Sequence, residues 1–310
     1  MFMEKILEKI NHQIAENLYH GASVAVLNDG HWQEYYIGTI DGERLVKPNL
    51  VYDLASVSKV VGVATIAAFL VYQGKLDIDE SVSCYYPDFQ TNDVTVRQLL
   101  THTSGIDPFI PNRDQLDAAE LKAAINQIKV TDQKKFLYTD LNFLLLGFML
   151  EEMTGLVLDQ LFEKDIFKPW QMTQTGFGPN NQAVPTVKGI SDGLVHDPKA
   201  KVLKEHAGSA GLFSTVKDLE TFLEHYLQDD FAKNLWENLS PSGSKSRALG
   251  WNLDGHWIDH TGYTGPFIMA NRRTQQAVIF LTNRTYEKDH RAEWIARRKE
   301  LMAVIIDELR

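Results

Sequence analysis

One cysteine stands among the 310 residues, so Cys84 has no partner for an internal disulfide and an oxidising compartment is not implied. Its expected place is that of a small buried hydrophobe. Positive charge is also short: 31 Lys and Arg against 41 Asp and Glu leave a net charge of −10. That balance argues against nucleic acid as a partner and against an anionic membrane surface. The apolar run Val60–Val71 holds roughly a dozen residues, short of the ~20 that a membrane span needs. Residues 1–10 lack the apolar centre of a secretory signal, and a cytoplasmic location is the expectation. Repeats, low-complexity tracts and linkers are missing too, which leaves one large core or two intimately packed subdomains.

What is present has clear periods. Phe2, Ile6, Ile10, Ile14 and Leu18 recur at helical spacing and predict an amphipathic surface helix. Residues 22–27 and 32–40 read as a hairpin turned at Asn28-Asp29-Gly30. From Ser56 to about Gln228 the periods are mostly helical, with helices over 96–102, 118–128, 141–153 and 158–167. Residues 176–211 are irregular and too long for an idle loop, so they are expected to line a site. Strand signals return over 249–253, 266–270 and 276–281, and residues 272–275 form a turn. A last helix carries the stripe Trp294, Ile295, Leu301, Met302, Ile305 and Leu309.

The simplest assembly is an α/β (α+β) fold: one antiparallel sheet built from both chain ends, flanked by the terminal helices, with a mostly helical subdomain inserted. The sheet part spans about residues 1–55 and 245–310, and the helical part about 56–244. A site would lie in the groove between them.

Three Ser-x-x-Lys tetrapeptides occur, at Ser56–Lys59, Ser214–Lys217 and Ser242–Lys245, where chance supplies about one. Thr215 with Asp218 makes the second a helix start, and the third lies in a Pro/Gly/Ser loop. Only the first opens a long apolar segment that holds both groups on one helical face, with Ser58 pointing elsewhere. A hydroxyl beside an ammonium supplies a nucleophile and a route for its proton. Two stretches could accompany it. Tyr138-Thr139-Asp140 presents a phenol and a carboxylate before an apolar helix, and an ammonium favours the ionised form of a neighbouring phenol. His260-Thr261-Gly262 reads as the start of a strand where glycine lets a substrate approach the backbone.

These three stretches, in this order, resemble the penicillin-recognising serine hydrolases, which carry Ser-x-x-Lys, Tyr/Ser-x-Asn and Lys-Thr-Gly. The likeness is nearest to the class C β-lactamase branch with its related esterases and D-peptidases. It runs through residues 94–105, Asn142–Gly147 and Ala210–Thr215, covering roughly 20–285.

The resemblance implies a β-lactamase/transpeptidase-like fold and an acyl-enzyme hydrolase acting on a small ester, amide or β-lactam-like substrate. Ser56 would be the nucleophile, Lys59 and Tyr138 its proton relay, and the backbone N–H groups of Ser56 and Tyr263 the oxyanion hole. Asp140, His260, Thr261 and Gly262 would contact substrate, and no metal or cofactor is implied.

Two departures bear on the substrate. Asp140 stands where the family has Asn, and an ionised carboxylate accepts hydrogen bonds but donates none. His260 stands where the family has Lys, and an unperturbed histidine is mostly neutral at pH 7. Both weaken recognition of a substrate carboxylate and point to an esterase-like enzyme with weak β-lactam turnover. A D-alanyl carboxypeptidase or β-lactamase would need another cation, for which Arg272 or Arg273 is the sequence candidate. A non-hydrolytic penicillin-binding sensor is a third reading.

His256 and His260 are four apart, but Gly255 and Trp257 disfavour the helix that would align them on a metal. His196-Asp197 and His206, in the irregular stretch, are candidates either to ligate a metal or to line the groove, and His102 is expected to be structural.

Overall fold

The computed structural model describes residues 2–91, 93–190 and 193–310. Helix α1 (Phe2–Ala15) leads into the hairpin β1 (Gly21–Asn28) and β2 (His31–Gly38), paired in register from Gly21↔Gly38 to Asn28↔His31 around the Asp29-Gly30 turn. Strand β3 (Tyr52–Asp53) delivers the chain to a continuous helical stretch. It begins as a 3₁₀ turn (Ala55–Val57), passes through a π-turn (Val60–Ala64) and becomes α2 (Thr65–Tyr72). Helices α3 (Val82–Tyr85), α4 (Val96–Leu100), α5 (Ala118–Asn126), α6 (Asp140–Thr154) and α7 (Leu158–Phe162) build the insertion. Strand β4 (Gly176–Phe177), helix α8 (Pro198–Leu203), strand β5 (Leu212–Ser214) and helix α9 (Val216–Gln228) follow. The meander β6 (Asn252–Asp254), β7 (Trp257–Thr261), β8 (Phe267–Asn271) and β9 (Gln276–Leu281) then leads to α10 (Arg291–Glu308).

The main sheet has the order β2-β1-β9-β8-β7-β6 and is antiparallel throughout. The amino-terminal hairpin therefore docks on the last strand of the carboxy-terminal meander, as expected. Period-2 alternation assigns each strand two apolar faces. Val24, Val26, Val278 and Phe280 join Ile6 and Ile10 of α1 and Trp294, Leu301 and Ile305 of α10. Ala25, Leu27, Ala277 and Ile279 face the inserted part of the chain, and α9 packs on the sheet against β1, β8 and β9. The side chain of Phe2, expected on the α1 stripe, lies outside the described residues.

In α6 the stretch from Leu141 to Leu150 is buried on every side, which makes it the axis of the insertion.

Several expectations are corrected. Cys84 is exposed, its thiol 3.4 Å from Glu80 Oε1, because α3 is one short turn at the surface rather than a core element. The stretch 176–211 contains β4 and α8, and a second sheet of order β3-β5-β4 ties it to the residues before Ser56. His260-Thr261-Gly262 closes strand β7 instead of opening one. The helical run that includes Val60–Val71 extends over 18 residues and is long and apolar enough to cross a membrane, but 72% of it is buried inside this structure.

One close approach carries the fold to the site. A Cβ on Gly208 would sit 2.3 Å from the Phe143 carbonyl oxygen and 3.1 Å from Gly147 Cα. This contact seats the 208–211 loop on α6. Gly208→Ala is expected to destabilise the protein by about 1–3 kcal/mol, because the obstructing atom is backbone and cannot rotate away. Thermal unfolding checks the cost, and a midpoint equal to wild type would show that the loop is not held there.

Candidate active site

The turn that presents Ser56 is strained and pinned. Ala55 has φ +45°, a left-handed conformation that a residue with a Cβ rarely adopts. The Asp53 carboxylate holds it there, accepting Ala55 N–H at 2.7 Å with one oxygen and His196 N–H at 2.7 Å with the other. Burial pushes the Asp53 pKa up to about 6, against the lowering effect of those two N–H groups. Ser58, as expected, points away and accepts Leu212 N–H at 3.1 Å.

Three residues after Ser56, Lys59 is fully buried with its ammonium surrounded by acceptors. Nζ donates to Ser56 Oγ, Asp140 Oδ1 and Ser209 O, each at 2.8 Å. Burial pulls the Lys59 pKa down, but the charge of Asp140, followed by Tyr138, outweighs it and holds the pKa above its ordinary value. Asp140 opens α6, where Thr139 accepts Leu141 N–H at 3.3 Å as the cap. Against the upward push of burial, Lys59 and Lys199 keep its carboxyl well below the usual carboxylate range. Lys199, from the start of α8, lies 3.0 Å from Asp140 Oδ2. Both carboxylate oxygens are thus engaged by lysines.

Tyr138 is 41% exposed, with its ring centroid 5.3 Å from Lys59 Nζ. His102 lies beneath it at 4.4 Å between ring centroids, accepts Thr139 N–H through Nδ1 at 3.4 Å, and contacts Asn142 Nδ2 at 2.9 Å. His102 is structural support for the tyrosine, close to the expectation.

Ser56, Tyr138, His260, Thr261, Gly262 and Tyr263 line one groove of about 790 Å³ that continues along α10; Asp140 does not line it. A Cβ on Gly262 would come within 2.6 Å of the Leu54 carbonyl. The bare glycine therefore accommodates the protein's own backbone beside the Ser56 turn, not only a ligand. Gly262 N–H closes a turn on Pro266 O at 2.7 Å, with Tyr263 at its tip. Arg284 fixes that tip, donating to Tyr263 O through Nε at 2.9 Å and Nη2 at 2.7 Å. Thr264 Oγ1 donates to Asp53 O at 3.0 Å, so one residue braces both sides of the groove mouth.

His260 is buried, and neither ring nitrogen has a hydrogen-bond partner among the described residues. Burial first, then Arg247, Lys59 and Lys245, push its pKa well below the ordinary value, so the ring is neutral. Arg272 and Arg273 do not supply the missing cation. Arg272 caps the end of α9 at Tyr226 O, Gln228 O and Asp229 O, and Arg273 contacts His256 Nε2. Their turn joins β8 to β9 at the far end of the strands from His260.

The cations near His260 come from elsewhere. Lys245 and Arg298 line the groove, and Arg247 lies buried beside them. Arg247 donates to Asn252 Oδ1 at 2.7 Å and to Gly250 O at 2.6 Å, and burial lowers its pKa to about 10. Burial also lowers Arg298 to about 10, and burial together with Arg247 lowers Lys245.

Sequence reasoning missed Lys199, the Ser209 carbonyl, Lys245 and Arg247. The first two lie in the irregular stretch marked as site-lining. Lys245 belongs to the Ser-x-x-Lys set aside as a loop. Among the other expected groove residues, His196 stacks on Tyr263 at 5.5 Å, whereas His206 pairs with Glu151 at 2.8 Å.

The Asp53 clamp generates a pH prediction. As the pH falls through about 6, the carboxyl gains a proton and loses one of the two acceptors that hold Ala55 and His196. Activity is expected to fall on that acid limb. Asp53→Asn is expected to remove the limb and to lower kcat/KM about ten- to a hundredfold across the range, because Ser56 is misplaced. A pH–rate profile checks this; an unchanged limb in Asp53→Asn would remove the clamp from consideration.

The Beta-lactamase family profile matches residues 7–302. A protein of Salmonella agona (strain SL483) described as a putative D-alanyl-D-alanine carboxypeptidase is 26% identical, over 86% of this chain and 79% of its own length. Among solved structures, a class C β-lactamase superposes with a TM-score of 0.78 at 20% identity, covering 100% of this chain and 96% of that one. A β-lactamase/D-alanine carboxypeptidase from Pseudomonas syringae gives 0.78 at 17% identity, covering 99% and 98%. The hydrolase EstCE1, described as having promiscuous acyltransferase activity, gives 0.77 at 18% identity, again covering 99% and 98%. With the profile spanning nearly the whole chain and the β-lactamase/transpeptidase-like fold in place, the protein belongs to the β-lactamase family and is a serine hydrolase.

Proposed function

We propose that the enzyme cleaves ester and amide carbonyls of small molecules through an acyl-Ser56 intermediate, with esterase-like preference and weak β-lactam turnover. The observation that carries this reading is the Ser56–Lys59 contact at 2.8 Å beneath the groove that Ser56 and Tyr138 line. Ser56 Oγ attacks the carbonyl and its proton leaves through Lys59 and Tyr138. The oxyanion is held by the N–H groups of Ser56 and Tyr263. The relay returns the proton to the departing alcohol or amine, and water then attacks the ester to free the acid and regenerate Ser56.

The substrate preference rests on Asp140 and His260. A carboxylate saturated by two lysines offers no N–H to an acyl-side carbonyl, and a neutral imidazole offers no fixed charge to a substrate carboxylate.

Ser56→Ala is expected to cost about 10³-fold or more in turnover and to abolish the acyl adduct seen by intact-mass spectrometry. Wild type is expected to turn over p-nitrophenyl butyrate faster than nitrocefin. Nitrocefin hydrolysed far faster than the ester would overturn the preference, and turnover that survives Ser56→Ala would overturn the scheme.

A second reading, D-alanyl carboxypeptidase or β-lactamase, is supported by the cations beside His260 and by the name of the Salmonella relatives. On that reading Lys245→Met raises KM for substrates ending in a free carboxylate by about tenfold and leaves neutral esters unaffected. Equal effects on both substrate types would count against it.

A further inference from the structure

Asp140 is shared. Its Oδ1 takes the Lys59 ammonium and its Oδ2 takes Lys199, which also lies 3.2 Å from Asp197 Oδ2. The four residues form an alternating chain, Asp197–Lys199–Asp140–Lys59, that ends on Ser56 Oγ. Lys199 is 11% exposed in its side chain, and Asp197 is itself fixed by capping α8, accepting Ala200 N–H at 2.9 Å.

The charge arithmetic at the nucleophile depends on Lys199. A carboxylate alone beside Lys59 strengthens the hold on the ammonium proton and opposes its departure. A second cation on the other oxygen divides that field and adds a like charge near Lys59. Both effects ease proton loss from the relay, whether Lys59 or Tyr138 gives it up. The remaining groups around Lys59 do not supply this balance. Ser209 contributes a carbonyl, and His102 and His260 are buried and neutral. Arg247 and Lys245 lie on the opposite, β-sheet side of the groove.

We infer that Lys199 is a positioning residue of the acyl-serine site. By sharing the Asp140 carboxylate with Lys59 it holds that carboxylate off the groove and weakens its grip on the Lys59 ammonium proton. Aspartate at position 140 is therefore functional only with Lys199 beside it. The inference rests on Ser56 being the acylated residue.

The test is the pH dependence of kcat/KM with p-nitrophenyl butyrate, from pH 5 to 10, with unfolding midpoints for every variant. Lys199→Met keeps the aliphatic stem and removes the charge. It is expected to lower neutral-pH kcat/KM by about tenfold and to move the relay's own ascending limb, which lies above the one set by Asp53 near pH 6, about one pH unit upward. Lys199→Arg, which keeps the charge, is expected to retain the wild-type limb. Asp140→Asn combined with Lys199→Met removes both charges and is expected to bring the limb back to the wild-type pH or below.

A merely structural bridge would lower the unfolding midpoint and leave the limb in place. That result overturns the inference, as does a double variant whose limb coincides with that of Lys199→Met. If Lys199→Met does not fold, the arginine and double variants still read the limb. Ser56→Ala in the same assay separates the two levels. Residual turnover there removes the acyl-serine reading, whereas silent Ser56→Ala with a Lys199→Met limb like wild type removes only the role of Lys199.

Discussion

A fully buried ammonium is the constraint around which this structure is assembled. An unpaired charge taken from water costs several kcal/mol, so Lys59 persists in the core only because its donors all find acceptors. Those acceptors come from three separate places: Ser56 one turn earlier, Asp140 at the start of α6, and Ser209 in the loop after α8. The close approach at Gly208 seats the loop, and the Thr139 cap seats the carboxylate. Local backbone chemistry far apart in sequence thus converges on one nitrogen. Ser56 is tied to that convergence, because its hydroxyl is one of the three partners.

Charge is distributed unevenly around the groove. On the inserted side, each lysine near Ser56 is matched: Lys59 with Asp140, and Lys199 with Asp140 and Asp197. On the sheet side, Lys245, Arg247 and Arg298 gather around His260 and Asp259, and the chief opposing charge is a carboxyl whose own pKa burial raises. A chain with net charge −10 has therefore concentrated positive potential at one wall of its groove. The cations that add to burial in keeping His260 neutral are ones an anionic group would meet there.

Much of this was legible in the sequence, and the reasons differ by element. The hairpin and terminal helices announce themselves through periods of 2 and 3.6, because each buries an apolar face. Ser56 and Lys59 were legible because three residues on a helical path bring side chains together whether the path is 3₁₀, π or α. The opening 3₁₀ and π-turns were not, since they leave the apolar pattern of Val60–Val71 unchanged. Lys199, Ser209 and Arg247 could not be singled out. Lys199 and Ser209 reach the site by tertiary approach of segments more than 50 residues away, and a lysine in an irregular stretch reads as solvated surface. Cys84 was misjudged for a related reason: the general tendency of cysteine to be buried says nothing about one short surface turn.

Asp53 links the two sides of the groove. Its carboxylate grips the strained Ala55 before the nucleophile and the His196 backbone in the inserted loop, while its carbonyl accepts Thr264 from the turn that carries Tyr263. Left-handed geometry at a residue with a Cβ costs on the order of 1–3 kcal/mol, and here two charge-assisted hydrogen bonds offset it. Asp53 therefore braces the serine turn with its carboxyl and the turn after β7 with its backbone carbonyl. From three residues before Ser56 it thus holds both the Ser56 turn and the turn of Tyr263, whose tip Arg284 holds as well. The charged chain of Lys59, Asp140 and Lys199 is assembled from distant segments, which makes it the part of the site most open to exchange of residue types within an unchanged fold.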